Sequence, residues 1–287
     1  MITGETRLAG VIATPIKHSI SPLIHNTAFC ELGINAVYLA FETKPENFAK
    51  AIGAIKAFEM LGVNLSMPYK QEAIKFMDEL GTEVRIIQAM NTIVYLGGRL
   101  IGRNTDGIGY VESLKAKGYR VKNEQITVLG GGGAGLAIVV QLALEGAKKI
   151  SVFNRKSVSF YPLKERLKKI AEQTRVEIEL FNLADEEILA RELSDSLILA
   201  NTTNVGMGEM TWTSPIRNPQ VIPENILVTD AIYSPRETKL LQQAKNRGAK
   251  TMNGLGMLLH QAAASFSLWT GRKMPLEVVE KKLEEEV

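Results

Sequence analysis

Apolar residues along this chain fall into short runs that alternate, from end to end, with stretches carrying apolar residues on one helical face. The runs Leu8 to Ile12, Ala36 to Phe41 and Gly62 to Leu65 read as strands, and the segments near Pro22 to Leu32 and Pro45 to Ala57 read as the helices between them. Ser21 followed by Pro22 predicts a helix start, because serine can cap and proline tolerates the first helical position. A third helix is expected directly after the third strand, over Lys70 to Leu80. After Asp106, a capping residue type, an amphipathic helix runs to about Lys117, and an apolar strand follows at Ile126 to Leu129. Strands then recur at Lys149 to Phe153, Leu197 to Ala200 and Leu227 to Asp230, with helical stretches among them. Gly256 to Thr270 and Leu276 to Glu285 close the chain as two helices. Alternation of this kind predicts an α/β fold, and its second part is the doubly wound pattern. The expected organisation is an N-terminal α/β domain, residues 1–106, joined by the C-terminal helices, 255–287, which return to it. A Rossmann-like doubly wound domain occupies 107–254.

Length agrees with two domains, since 287 residues exceed the usual size of one hydrophobic core. Acidic and basic residues nearly cancel at a formal +3, so no long-range field points to nucleic acid or a membrane surface as partner. No run approaches the ~20 apolar residues of a membrane span. The N-terminus, MITGETRLAGVIATP, lacks a basic segment followed by an apolar one, so a soluble, unprocessed protein is expected. Cys30 is the only cysteine, which excludes an internal disulfide and a cysteine-built metal site and fits a cytoplasmic location.

Two kinds of candidate chemistry stand out. The first is ITVLGGGGAGLAIVVQLALEG, an apolar strand, a G-x-G-x-x-G turn at Gly130, Gly132 and Gly135, and a helix. Glycine at the first position permits a tight turn, and at the second it lets backbone N–H groups approach a pyrophosphate. The helix N-terminus adds partial positive charge there. Gly130, Gly132, Gly133 and Ala134 are therefore the expected dinucleotide cradle. At the end of the next strand an NAD site would present an acid to the adenosine ribose. Here Asn154, Arg155, Lys156 and Ser157 stand instead, and this cationic set suits a 2′-phosphate, which favours NADP over NAD.

The second kind is a scattered polar set. Lys70 in SMPYK sits where a strand ends, the side on which open α/β sheets bind ligands, and there it could pass a proton to or from a hydroxyl or carbonyl. Taken alone, Lys70 is a surface lysine and Asp106 in NTDG is a plain cap. The set carries the signal: Ser19 and Ser21 in HSISP, Ser66 and Lys70, Asn91 in MNTI, Asp106, and Gln261 in HQAA all fall at strand or helix ends. They make a lining rich in hydroxyls and amides with one base–acid pair, and its natural guest is a polyhydroxylated carboxylic acid. His18 and His25 have no other His, Cys or acid at ligand spacing, so no metal is expected and both read as structural or supporting residues.

PIKHSISP, SMPYK, MNTI, NTDG, LGGGGAG, NRK, NTTNVGM and NGLGMLLHQAA, in that order, make the chain resemble the shikimate dehydrogenase family over essentially its whole length. AFE, SMPxKQ, FNRK and LLxxQAAxxFxLWTG resemble its quinate/shikimate dehydrogenase branch in particular. The resemblance implies an NAD(P)-dependent oxidoreductase of aromatic amino acid biosynthesis that reversibly moves hydride between shikimate or quinate and the 3-dehydro acid. By it, Lys70 and Asp106 look like the catalytic pair, and Ser19, Ser21, Ser66, Asn91, Tyr233 and Gln261 look like substrate contacts. The first domain is then the substrate-binding one. Thr202, Met207, Gly254 and Met257 would border the cofactor. Three departures weigh on this. Ser66 stands where the biosynthetic enzymes usually have Thr. Ser157 stands where the quinate branch often has Asp, so dual NAD and NADP use is expected with NADP slightly favoured. Gly135 replaces a usual Ser, which is expected to loosen the phosphate turn. An enzyme for a related cyclic polyol acid such as aminoshikimate, and a non-catalytic ligand-sensing paralogue, are the alternatives. The sequence leaves the assembly open, a homodimer included.

Overall fold

The computed structural model describes residues 2–286. The chain divides into two compact units, one formed by residues up to Gly109 together with those from Leu259 onward, the other by Tyr110–Leu258. The divide falls within two helices, α4 and α9 below.

The first unit begins with β1 (Arg7–Ala13), α1 (Ser21–Glu31), β2 (Ala36–Glu42), α2 (Phe48–Ala57) and β3 (Gly62–Leu65). It continues with β4 (Glu79–Leu80), α3 (Thr82–Ile87), β5 (Thr92–Leu96) and β6 (Arg99–Arg103). Its six-stranded sheet has the order β2-β1-β3-β5-β6-β4. β1 pairs parallel with β2 and β3, whereas β5 runs antiparallel to β3 and β6. All four residues of β3 are buried, as befits a strand covered on both faces. Phe48, Ile52 and Ile55 of α2 pack against Val63, Leu65, Ile93 and Leu100, and Phe48 stacks on Tyr69 at 4.2 Å between ring centroids. Several expectations shift here. Lys70 to Leu80 is not one helix: a 3₁₀ turn at Glu72–Phe76 and the short β4 replace it, since Asp78 turns to accept hydrogen bonds from the Leu100 N–H and the Lys56 ammonium. Ser21 does not cap α1. It is the first helical residue, its N–H donates to the Ser19 hydroxyl, and the cap position is Ile20. The β5–β6 hairpin, turning at Gly97 and Gly98, adds two strands that the apolar runs did not announce.

The second unit follows α4 (Asp106–Ala116) with β7 (Gln125–Leu129), α5 (Gly133–Leu144), β8 (Lys149–Asn154), α6 (Phe160–Thr174) and β9 (Glu177–Asn182). Then come α7 (Glu186–Ser194), β10 (Ile198–Asn201), β11 (Leu227–Asp230), α8 (Lys239–Asn246) and β12 (Lys250–Met252), and the chain closes with α9 (Leu255–Thr270) and α10 (Leu276–Glu286). The sheet order β12-β11-β10-β7-β8-β9, parallel throughout, is the doubly wound dinucleotide-binding order with its switch point beside β7. β9 and α7 were not anticipated. β9 is an edge strand whose Glu177 and Glu179 pair with Lys149, so charge masks its β character. In the first unit, Phe266 and Trp269 of α9 lie beside Phe29 and Tyr38, and the Trp269 indole donates to the Ile93 carbonyl at 3.0 Å. The C-terminal helices thus return to the first unit, as the sequence predicts. No helix among the described residues is long and apolar enough to cross a membrane.

Candidate active site

Lys70 leaves the loop after β3, and Asp106 opens α4. Their side chains meet: Lys70 Nζ lies 2.6 Å from Asp106 Oδ2, with the two side chains 26% and 13% exposed. The backbone fixes both ends of this pair. The Met90 N–H donates to the Lys70 carbonyl at 2.8 Å, and the Asp106 N–H donates to Asn104 Oδ1 at 3.1 Å. Asn104, not Asp106, therefore caps the turn, which frees the Asp106 carboxylate for other work. Asn104 is itself held by its amide donating to the Ala89 carbonyl and its N–H donating to Glu83, a carboxylate that also accepts from Arg103 at 2.7 Å.

Asn91 completes the arrangement. Its amide nitrogen donates to Asp106 Oδ1 at 2.7 Å, so each carboxylate oxygen has its own partner. The Asn91 carbonyl accepts from the Leu65 N–H and its N–H donates to the Arg103 carbonyl, which anchors the residue between β3 and β6. Behind Asn91 lies a set of buried hydroxyls and one amide: Thr92, Thr105, Ser265 and Asn64. Asn64 Nδ2 donates to Ser265 at 3.0 Å, and its Oδ1 accepts from the Tyr38 hydroxyl at 2.8 Å. A continuous hydrogen-bonded path thus runs from Tyr38 to Lys70. Of the predicted substrate-contact residues, Asn91 lies on this path, and Ser21 opens α1. Ser66 and Ser19 stand half-buried in the loops after β3 and before α1. Gln261 lies one turn before Ser265 on α9 and offers its carbonyl to that hydroxyl at 3.2 Å. Tyr233 belongs to the second unit, 36% exposed after β11. Asn64, Thr92, Thr105, Tyr38 and Ser265 were missed by the sequence reading. Thr92 and Thr105 sit inside MNTI and NTDG and could have been taken with their neighbours; the others carry no local signal.

His25 is fully buried, stacked on Tyr38 at 4.3 Å between centroids with 9° between planes, and neither ring nitrogen has a hydrogen-bond partner. Burial alone lowers its pKa to about 3, so it is neutral and structural. His18 is exposed. Among the described residues no group of three or more His, Cys, Asp or Glu side chains could hold a metal ion.

In the second unit the glycine turn joins β7 to α5. Gly130 has φ +99°, which only glycine adopts readily, and its N–H donates to the Phe153 carbonyl at 2.8 Å. Thr202, just after β10, donates its hydroxyl to the carbonyls of Leu129 and Gly130. A Cβ on Gly135 would lie 2.3 Å from the Gly130 carbonyl oxygen and 2.6 Å from Thr202 Oγ1. Glycine at 135 therefore lets the turn close tightly, and the expectation of a loosened turn is corrected. Gly133 and Ala134 begin α5, where the first N–H groups of a helix have no partner within it and suit a phosphate. Asn154 ends β8, and Arg155 and Lys156 follow it, exposed, at the wall of a cavity of about 430 Å³. Asn182, Ser214, Arg217 and Asn218 line the same cavity. Arg217 was not anticipated from the sequence and gives this wall a third cation. Met207 is exposed in the loop after β10, Gly254 packs its backbone against Ala231, and Met257 is in the first turn of α9. The cradle and the cationic wall are what a phosphorylated dinucleotide requires.

A family model described as the shikimate dehydrogenase substrate binding domain matches residues 11–93. Another, the shikimate 5'-dehydrogenase C-terminal domain, matches 254–284. The shikimate dehydrogenase (NADP(+)) of Lactococcus lactis subsp. cremoris strain MG1363 is 49% identical over 286 residues, covering 100% of this chain and 99% of the relative. The chain belongs to the shikimate dehydrogenase family. Within that family, the solved shikimate 5-dehydrogenase of Listeria monocytogenes, in complex with shikimate and NAD, superposes with a TM-score of 0.96 at 39% identity, over 98% of each chain. The shikimate 5-dehydrogenase of Thermus thermophilus, in complex with NADP(H) and shikimate, gives 0.83 at 32% identity over 98% of this chain and 100% of its own.

Proposed function

We propose that this chain reduces 3-dehydroshikimate to shikimate, reversibly, with NADPH as the preferred hydride donor and Lys70 and Asp106 as its catalytic pair. The observation that carries the reading is the Lys70–Asp106 contact at 2.6 Å in the unit that bears the family's substrate-binding match. An ammonium has three N–H donors; Asp106 takes one, which leaves Lys70 donors for an oxygen of the bound acid. When the dinucleotide is bound, its nicotinamide supplies or accepts the hydride. As hydride reaches the ketone carbon, the carbonyl oxygen gains charge, and Lys70 gives it a proton, so that the ketone becomes the hydroxyl and the lysine becomes neutral. In the reverse direction neutral Lys70 takes the hydroxyl proton. Asp106, with one oxygen on Asn91 and the other on Lys70, holds the lysine nitrogen in place.

Ser19, Ser21, Ser66 and Gln261 supply neutral donors and acceptors suited to the carboxylate and hydroxyls of the acid. For the cofactor, Thr202 and Gly135 close the phosphate turn, and Arg155 and Lys156 provide charge for a 2′-phosphate. Location in the cytoplasm belongs to the same proposal, supported by the lone Cys30. The test is a two-by-two steady-state assay of shikimate and quinate against NADP and NAD. Shikimate with NADP is expected to give the highest kcat/KM, with quinate turned over more slowly. Protein that binds NADP and shikimate but transfers no hydride over a wide pH range would be a ligand sensor instead.

A further inference from the structure

Ser265 lies at the centre of the polar cluster behind Asn91, on a helix that otherwise presents apolar side chains to the first unit. Its hydroxyl is within reach of four partners: Thr92 Oγ1 at 2.9 Å, Asn64 Nδ2 at 3.0 Å, Thr105 Oγ1 at 3.2 Å and the Gln261 carbonyl at 3.2 Å. The side chain is fully buried. Nothing in the proposed proton chemistry uses it directly.

The direction of the protons shows what it does. The Asn91 amide orientation is fixed from two sides. Its Oδ1 accepts from the Thr105 backbone N–H at 2.8 Å, a donor that cannot reverse, and its Nδ2 faces the acceptor Asp106. The Thr92 hydroxyl, 3.0 Å from Asn91 Oδ1, must then donate to that oxygen. Two hydroxyl oxygens at 2.9 Å need a proton between them, and Thr92 has already committed its own. Ser265 therefore donates to Thr92, with the Gln261 carbonyl as the longer alternative acceptor. The Asn64 amide fills one lone pair of Ser265, and the Thr105 hydroxyl is placed to fill the other. The cluster is then ordered in one sense, Ser265 to Thr92 to Asn91 Oδ1, which adds a second hold on the oxygen of an amide whose NH₂ faces Asp106.

We infer that Ser265 is a positioning residue of the catalytic pair, holding the Asn91 amide, through Thr92 and Thr105, in the orientation that donates to Asp106. This rests on the assignment of Lys70 and Asp106 as the catalytic pair. Without the Ser265 hydroxyl, Thr92 and Thr105 lose a shared partner inside a buried cluster. The Asn91 amide is then held by fewer contacts, and the Asp106 oxygen opposite Lys70 loses its rigidity.

The experiment compares Ser265→Ala, Asn91→Ala and the double variant, with Lys70→Ala as a separate control. A neutral hydrogen bond is worth roughly a factor of three to ten, so Ser265→Ala is expected to lower kcat for shikimate oxidation by about that factor. KM for shikimate stays within about twofold and NADP binding is unchanged, the pattern of a contact that matters during the chemical step. The double variant should be no slower than Asn91→Ala, because both changes break one connection. A wild-type kcat in folded Ser265→Ala overturns the inference, as does a double variant whose losses multiply. A raised KM with unchanged kcat also overturns it, since that assigns Ser265 to Gln261 alone. If Ser265→Ala does not fold, Thr92→Val breaks the same connection without changing the side chain's shape, and a wild-type kcat there is equally fatal. Lys70→Ala separates the two levels. If it keeps a near-normal rate, the catalytic pair itself is wrong; if it is inactive while Ser265→Ala and Thr92→Val run normally, only this inference falls.

Discussion

In the first unit the candidate chemistry rests on side chains bonded to other side chains: Lys70 to Asp106, Asp106 to Asn91, Asn91 to Thr105, Asn64 to Ser265. In the second unit the dinucleotide turn rests on backbone. Thr202 reaches the Leu129 and Gly130 carbonyls, Gly130 donates its N–H to Phe153, and Gly135 matters for lacking a side chain. The contrast follows from the ligands. A pyrophosphate is bound well by N–H groups and a helix end, whichever side chains surround them. A proton transfer needs one nitrogen held at one spot, which only a specific and fully satisfied network provides. The first unit should therefore fail by loss of a functional group, and the second by addition of bulk.

Lys70→Ala is the largest test of that contrast. Removing a general acid–base is expected to lower kcat by roughly a hundredfold to ten-thousandfold while leaving NADP affinity intact, read by steady-state kinetics and by nucleotide titration. An equal loss in both would show that the lysine serves the fold. Gly135→Val is the mirror experiment. The added side chain has the Gly130 carbonyl and Thr202 within 2.6 Å of its first carbon, so overpacking of about 1–3 kcal/mol is expected in urea melts. NADP binding should weaken, and shikimate affinity should stay. A variant with normal stability and normal NADP affinity would mean that the turn is not closed in this way.

The doubly wound half of the fold was legible because its strands are apolar on both faces and its glycine turn sits between a strand and a helix. β9 was not, since the charges on Glu177 and Glu179 that pair with Lys149 disguise an edge strand. The stretch after Lys70 misled for a related reason. Its helical periodicity is real over Glu72–Phe76, but Asp78 is captured by Leu100 and Lys56 and the chain turns into β4. At the site, residues at strand and helix ends could be read as a set. What brings Ser265, Asn64 and Tyr38 behind them could not, because those residues are far apart in sequence and each is ordinary in its own segment. The tight packing of Gly135 was missed for the opposite reason: the Gly130 carbonyl meets it only because the turn folds back on itself, and Thr202 only because the β7–β10 pairing brings it near.

A smaller effect is expected at the cationic wall. Arg155→Ala combined with Lys156→Ala should raise KM for NADP by about tenfold, from the loss of hydrogen bonds to a charged phosphate, and move KM for NAD little. Both side chains are exposed, so added salt should shrink the difference. Equal losses with both coenzymes would put these cations on the pyrophosphate or on neither.

The smallest effect at neutral pH carries the contrast into stability. His25 in the first unit is buried without a partner, and its pKa falls from 6.5 to about 3 in the folded protein. Asp230 in the second unit is buried with three, the Ile232 N–H, the Thr238 hydroxyl and the Asn201 amide, and burial nonetheless raises its pKa above 3.8. The signs are opposite. Unfolded chain protonates at His25 below 6.5 while folded chain resists until about 3, so stability from the neutral imidazole is present above 6.5 and is lost as pH falls through that window. A carboxyl with a raised folded pKa favours the folded state at low pH and loses that contribution as pH rises through the folded value. A simple acid titration of the wild-type protein mixes the two. His25→Phe separates them, because the Asp230 contribution is common to variant and parent and cancels in the difference. The ring also keeps the stack on Tyr38. The variant's advantage in urea melts should grow by about 1.4 kcal/mol for each pH unit below 6.5 and be slight at pH 7. If variant and parent lose stability in parallel from about pH 7 to about pH 4.5, then the folded protein protonates His25 as readily as the unfolded chain does, and the imidazole is not sealed among Tyr38, Phe266 and Trp269 as the packing requires.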